Sequence, residues 1–292
     1  MGEQHSRRIA VLSDSASCLS EEVRQRLGIR VVPFWLAWGQ DVYRDLLDIS
    51  PAAFYRRFLA GPPYPTTSTP TLGDFLAAYQ DAAREADGIV YVHVPARLTS
   101  AASVARLASR DVDVPVRLVD AHVPGTPEGF VVLAAAELAA QGADLQAVVA
   151  GARAAARRVG MYVFLETLEH LRRGGRVGEI AFRAGTRMGI RALLRLNDGR
   201  VRPVTARRSR GAITEAMLEA LCDEVGDAPL RVGVLHAACE DDARDLAELV
   251  RQRCCARELH VAELTPVMGA HSGPGTLGIG YERLLTDQDR AA

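Results

Sequence analysis

An α/β fold in two parts is predicted by three features of the sequence. Short apolar runs alternate with longer, capped amphipathic segments through the first half, which is the pattern of βα repetition around a mainly parallel sheet. Near residue 160 the texture changes, which places a boundary near residue 155. Beyond it, Asn197-Asp198-Gly199 stands between two apolar runs and signals a hairpin, which pure βα repetition does not contain. The expected architecture is an N-terminal α/β domain over residues 1–155 and a C-terminal mixed α+β domain over 156–292.

The elements follow in order. Ile9–Leu12 is a short strand running into the polar loop Ser13-Asp14-Ser15. Ser20 caps a helix with Glu21 and Glu22 in its first turn, and Gly28 stops it. Ile29–Phe34 reads as the next strand. Ser50-Pro51 is a cap with proline at the first helical position, and Gly61 closes that helix. Thr71 caps another, with Asp74 at its third position. Gly88–Val94 and Val116–Val119 are strand-like, with a helix from about Ser100 to Ser109 between them. Pro127–Gln141 is rich in Ala and Leu, and Asp144 caps a further helix. Met161–Phe164 is strand-like, and Leu165–Arg176 reads as a short helix ending in Gly174-Gly175-Arg176. The hairpin joins Ala192–Leu196 to Val201–Ala206. A helix from about Ser209 to Val225 follows, then a strand at Arg231–Leu235, a helix near Asp241–Arg253 and a strand at Glu258–Leu264.

Composition narrows the function. The 292 residues carry 35 basic and 36 acidic side chains, a net charge of −1, so no global basic field favours nucleic acid or an anionic membrane. No lysine occurs anywhere, which removes Schiff-base chemistry, a pyridoxal-phosphate anchor and a phosphate-loop lysine. Arg or Asp interrupts every long apolar run, so no membrane span is expected, and the polar start is no signal peptide. The five cysteines form no CxxC pair and read as reduced thiols in a cytoplasmic protein. The histidines other than His271 show no metal-like spacing, and no metal or cofactor is expected.

Four loops carry possible chemistry. Tyr64–Thr71 holds a run of hydroxyls leading into a helix N-terminus, which suits a carboxylate or serves as a plain capping loop. Leu98-Thr99-Ser100-Ala101 follows a strand, where ligands bind in open α/β sheets, and can equally be an N-cap. Gly174-Gly175-Arg176 presents an Arg able to pair with a carboxylate or phosphate, or a solvated Arg behind a glycine cap. Gly269-Ala270-His271-Ser272-Gly273-Pro274-Gly275 reads as a rigid, tight loop around one histidine that can donate to an anion. Asp14 and Asp120 each end a strand and suit hydrogen bonding to loop backbone.

Taken together the loops resemble the DegV-type proteins, the fatty-acid-binding subunits of bacterial fatty acid kinase. The resemblance runs from Ile9 to about Tyr281. Ser13-Asp14-Ser15-Ala16-Ser17 is similar to the family's Asp-Ser-Thr-x-Asp signature, and Thr67-Ser68-Thr69-Pro70-Thr71 to its Thr-Ser-Gln-Pro-Ser motif. Val119-Asp120 is similar to Val-Asp-Ser. Leu168 to Arg176 resembles Leu-x-x-Leu-x-x-Gly-Gly-Arg, and Gly269 to Gly275 resembles Gly-x-His-x-Gly-Pro-Gly. Two departures touch substrate preference: Leu98-Thr99-Ser100-Ala101-Ala102 replaces Leu-Ser-Gly-Thr-Tyr, and Ala121 replaces the serine after Asp120.

The resemblance implies two domains with a lipid tunnel between them. A long-chain fatty acid such as palmitate, stearate or oleate would lie there, its carboxylate held by Thr67, Thr99, His271 and Arg176, with Ser68, Ser100, Gly269, Ser272 and Gly273 in the neighbouring loops. It also implies that a separate ATP-dependent fatty acid kinase phosphorylates the carboxylate, that the carrier shelters the acyl-phosphate, and that Arg176 and Arg208 dock the kinase or steady the phosphate. The carrier itself is then no catalyst. The competing expectation is an enzyme acting on a small anionic or acyl substrate, with His271 as acid/base and Thr67 or Thr99 as nucleophile. A third is a regulatory module whose lipid is only structural.

Overall fold

The computed structural model describes residues 8–175 and 190–285. The chain opens with strand β1 (Ile9–Asp14), a tight turn capped by the Asp14 carboxylate, helix α1 (Glu21–Arg26) and strand β2 (Arg30–Val32). The Ser20 hydroxyl accepts from the Val23 amide to start α1. The strand expected at Ile29–Phe34 is shorter, because Pro33 has no amide to continue the ladder.

The chain then leaves the parallel sheet, which simple βα repetition did not foresee. Strands β3 (Trp35–Trp38) and β4 (Asp41–Arg44) form a hairpin around Gly39-Gln40. Helix α2 (Pro51–Leu59) follows, with Ser50 as its cap. Thr66–Ser68, expected within a capping loop, forms strand β5 and pairs antiparallel with β3. The alternation in Trp35-Leu36-Ala37-Trp38 explains the detour. Leu36 and Trp38 are buried, and Trp38 meets Phe54 and Phe58 of α2 at ring distances of 5.4 and 6.2 Å.

Helix α3 (Leu72–Ala83), started by the reciprocal Thr71–Asp74 capping box, returns the chain to strand β6 (Gly88–His93). Helix α4 (Ala101–Ala108) leads to strand β7 (Val116–Asp120). The first sheet has the order β2-β1-β6-β7 and is parallel throughout. Asp14 and Asp120 stitch its carboxyl ends. Asp14 accepts from the amides of Ala16 and Val94, and Asp120 from those of Ala96 and His122.

Helices α5 (Thr126–Ala140) and α6 (Leu145–Ala156) come next. Helix α5 is buried around its first two turns, because it lies between the two larger sheets. The second sheet collects β8 (Val159–Leu165), the hairpin of β9 (Arg191–Asn197) and β10 (Arg200–Arg207), β11 (Leu230–His236), β12 (Ala256–Glu263) and β13 (Leu277–Arg283) in the order β10-β9-β8-β13-β11-β12. Helices α8 (Arg210–Val225) and α9 (Glu240–Arg253) cover it, and the short helices α7 (Glu169–Arg173) and α10 (Pro266–Ser272) lie at one end. Helix α7 is shorter than the expected Leu165–Arg176, and Arg176 falls outside the described residues.

Two corrections concern the end of the chain. Pro266–Ser272 is a helix that includes Gly269 and His271, so the tight loop expected over Gly269–Gly275 begins only at Gly273; Thr265 and Pro266 supply the cap position and first-turn proline. Strand β13 was not anticipated, because Gly278 and Gly280 dilute its apolar pattern. Gly280 pairs with Gly233 of β11, leaving a notch without side chains. A Cβ on Gly280 would lie 2.6 Å from Pro127 Cδ, and one on Gly233 2.5 Å from Thr126 Cβ, so the notch receives the start of α5.

A charged cluster braces the second sheet. Glu224 of α8 accepts from Arg195 Nε at 2.7 Å, Arg195 Nη2 at 2.6 Å, Tyr162 at 2.5 Å and Tyr281 at 2.6 Å. Burial by itself would raise the Glu224 carboxyl, but Arg195 and the two tyrosines outweigh it and hold it down at about 2. A carboxyl depressed from 4.5 to about 2 stabilises the fold above its unfolded value and loses that contribution as pH falls through the folded one. Glu224→Gln should therefore destabilise the protein by about 1–3 kcal/mol at neutral pH, after allowance for the partial exposure of the pair. In thermal denaturation the gap from the unmutated protein should narrow steadily between about pH 5 and pH 2; a gap independent of pH would refute the assignment.

Candidate ligand site

The site lies between the two larger sheets and draws on both halves of the chain. Its apolar wall takes Phe34, Val94 and Pro124 from the first half and Met161, Leu194, Leu196 and Leu235 from the second. The space between the lining atoms is about 1050 Å³, open solvent at the mouth included. One part of the lining is polar: Thr67, Ser68, Thr69, Thr99, His271, Ser272 and Thr276. Among the described lining residues none is acidic, and His271 is the sole ionisable side chain.

Each polar side chain has a local reason for its place. Thr67 sits on β5, opposite Leu36 of β3, and is half-buried. His271 is in the last turn of α10. The two meet with Thr67 Oγ1 2.8 Å from His271 Nε2, a hydrogen bond across 204 residues of sequence. Helix α10 reaches this position because Gly269 lets it press against α2: a Cβ there would lie 2.5 Å from the Tyr55 hydroxyl and 2.9 Å from the Phe54 ring. Tyr55 in turn donates to the Leu264 carbonyl at 3.0 Å, and the buried Asp45 carboxylate accepts from the Val267 amide at 3.3 Å. The start of α10 is thus anchored by a carboxylate from the other half of the chain, while its own Thr265 makes no side-chain cap.

Thr99 lies in the loop before α4, and its hydroxyl oxygen accepts from the Ala101 amide at 3.2 Å, which leaves its proton for an acceptor in the pocket. Ser272 Oγ is shielded from solvent and has no hydrogen-bond partner among the described residues. A shielded hydroxyl of this kind suits a polar ligand group. Thr276 closes the end of α10 by donating to the Ser272 and Gly273 carbonyls.

The structure brings together Thr67, Ser68, Thr99, His271 and Ser272 of the expected set. Ser100, Gly269 and Gly273 are not among the residues lining the pocket. Ser100 is exposed at the start of α4, Gly269 is buried within α10, and Gly273 packs against His170. Arg208 is exposed on the segment between β10 and α8 and does not line the pocket either. Arg176 lies outside the described residues.

Three charged residues grouped beside Gly275 were missed in the sequence. Glu166, just past β8, pairs with Arg191 Nη2 at 2.7 Å and also with Arg210; Arg210 Nη1 donates to the Gly275 carbonyl at 3.0 Å. They sit far apart in sequence, so spacing carried no signal. The apolar wall was equally hidden, because its Leu, Val and Met residues share the composition of the core. Among the described residues no cluster of His, Cys, Asp and Glu could hold a metal ion, and no helix is long and apolar enough to cross a membrane.

Comparison with known proteins identifies the family of the chain. The model described as uncharacterised protein, DegV family, matches residues 8–284. A DegV domain-containing protein of Streptomyces coelicolor is 35% identical over 276 residues, covering 94% of this chain and 98% of that protein. A solved structure described as the fatty-acid binding of a DegV family protein from Thermus thermophilus has 32% identity and a TM-score of 0.87, and covers 95% of this chain and all (100%) of that one. The crystal structure of DegV from Bacillus subtilis, described as a fatty acid binding protein, has 26% identity and a TM-score of 0.87 at 95% and 100% coverage. Matched along almost its whole length by the family model and by a relative above 30% identity, this chain belongs to the DegV family.

Proposed function

We propose that this protein binds a long-chain fatty acid between its two sheets and presents the carboxylate to a separate ATP-dependent fatty acid kinase, then holds the acyl-phosphate. The observation that carries the reading is the Thr67–His271 pair, set at the polar part of an otherwise apolar pocket whose described lining holds no acidic group. A carboxylate taken from water needs several hydrogen-bond donors to offset its desolvation. Thr67 and His271 share one hydrogen bond and keep one proton between them to offer, and Thr99 and Ser272 offer one hydroxyl each, without a repelling charge. The tail supplies affinity: about fourteen methylenes at ~0.8 kcal/mol each set an upper bound near 11 kcal/mol, which chain ordering and association entropy reduce. The fatty-acid ligands of the Thermus and Bacillus relatives support the same reading.

In this reading the chain divides near residue 155, and the ligand lies at the junction. Arg176 and the exposed Arg208 meet the kinase or the new phosphate. The five cysteines are free thiols, which fits a reducing, cytoplasmic setting. Catalysis belongs to the partner.

One feature favours a second reading. Thr67 and His271 stand at the separation of a nucleophile and its general base. Against it, no described lining residue is a carboxylate that could orient the histidine as a base. Hydrolysis of an acyl ester, abolished by Thr67→Val, would establish that reading in place of the carrier.

Three outcomes test the proposal. Denaturing extraction and mass spectrometry of the purified protein should release a stoichiometric fatty acid; protein that is empty and also refuses added palmitate and oleate would sink it. Thr67→Val should weaken fatty-acid binding about tenfold and His271→Ala about 10- to 100-fold, with little change in melting temperature. Retention unchanged in both variants would remove the carboxylate from this part of the pocket. With a fatty acid kinase, ATP and hydroxylamine, the loaded protein should yield the fatty hydroxamate that traps an acyl-phosphate, and no hydroxamate should form without the kinase.

A further inference from the structure

The two glycine-rich motifs that meet at the polar part of the pocket fit into each other in a reciprocal way. Gly174 ends helix α7, and a Cβ there would lie 2.6 Å from His271 Cε1 and nearer still to Nδ1. Gly273 follows helix α10, and a Cβ there would lie 2.9 Å from His170 Nε2 and nearer still to Cδ2. Each motif therefore contributes one histidine, and each leaves a vacant Cβ position for the histidine of the other.

The two glycines differ in an informative way. Gly273 has φ +78°, a backbone conformation that favours glycine whatever its neighbours. Gly174 has φ −71° and ψ −6°, where any residue is comfortable. Its lack of a side chain is thus required by space alone, and that space belongs to His271.

His170 is held as firmly. Its ring stands edge-on to Phe58 at 5.1 Å and to Tyr64 at 5.5 Å, and the Arg173 guanidinium covers the other ring of that group, Tyr64, at 4.3 Å. Burial, with Arg173 adding to it and Glu169 opposing, lowers the His170 pKa below its usual value, so the neutral ring does the packing at neutral pH.

We propose that His170 and Gly174 are positioning residues of the ligand site: they set the height of α7 against the end of α10 and so the angle at which His271 meets Thr67. This rests on the reading above that His271 serves a ligand carboxylate. A binding site held to a fraction of an ångström needs such support from residues that never touch the ligand.

The test compares Gly174→Ala, His170→Ala and His170→Phe with the unmutated protein, using displacement of a fluorescent fatty acid by palmitate and by methyl palmitate. Palmitate affinity should fall about tenfold in Gly174→Ala and in His170→Ala, while methyl palmitate affinity stays level and the melting temperature moves by only a few degrees. His170→Phe, which refills the space beside Phe58 and Tyr64, should restore palmitate binding. In ligand-free protein, the side-chain ¹⁵N signals of His271 should shift in Gly174→Ala. An equal fall for acid and ester, no fall for either, or His271 signals unmoved by Gly174→Ala would overturn the positioning role. If the unmutated protein does not distinguish palmitate from its ester, the carboxylate reading itself fails, and the ligand-free ¹⁵N spectra still decide whether Gly174 positions His271.

Discussion

The close approach of helix α10 to helix α2 is the contact on which the site depends. Gly269 permits it, since any side chain there would strike Tyr55 and Phe54. The Asp45 carboxylate fixes one end of α10 and Thr276 closes the other. A helix of seven residues has little stability by itself. Its position is imposed by partners from elsewhere in the chain, and that imposed position brings His271 to Thr67. The notch of Gly233 and Gly280 does the same service for α5, seating the helix that lies between the sheets.

Burying this junction leaves polar groups in the interior, and the fold handles them by neutralisation and hydrogen bonding. Burial pushes the Glu128 carboxyl well above its usual range, and its neighbour Asp14 adds to that effect. A protonated Glu128 can then donate to Asp14, which accepts two backbone amides at the ends of β1 and β6. Burial likewise moves Asp45 up to about 7, against the opposing hydrogen bonds of Ser15 and of the Val267 amide. The second half of the chain solves the problem differently, setting Glu224 against Arg195 and two tyrosines. None of these carboxyl groups belongs to the described pocket lining.

The pocket itself is chemically simple. Hydroxyls and one imidazole make its polar part, and aliphatic residues from both sheets make the rest. In the proposed reading such a surface takes an amphiphile by shape and by a few donors rather than by a dense polar network. Charged groups stand outside its described lining, with Glu166 tying Arg191 and Arg210 beside Gly275 and with Arg172 exposed on α7.

Much of this was legible in the residues. Caps at Ser20, Ser50, Thr71, Asp144 and Ser209 marked helix starts because a side-chain oxygen must meet the first free amides, a local rule that tertiary context does not change. Asn197-Asp198-Gly199 fixed a hairpin for an equally local reason, since Asp198 and Gly199 both take positive φ. Thr67, Thr99 and His271 could be named because their loops resemble motifs of the DegV family; the hydroxyls by themselves read equally well as helix caps. The detour through β3, β4 and β5 was not legible, nor was β13 with its glycines, nor the helix at Pro266–Ser272. Each of these takes its form from non-local contacts: Trp38 on α2, the glycine notch under α5, and α10 on Tyr55 and Asp45. The sequence by itself determined the alternation of elements, the ends of most helices and the donor types available for an anion. Only the tertiary structure decided that Thr67 and His271 share a hydrogen bond, that Gly174 and Gly273 receive each other's histidines, and which aliphatic residues face the pocket rather than the core, because those outcomes depend on distances between segments up to 204 residues apart, which no local propensity encodes.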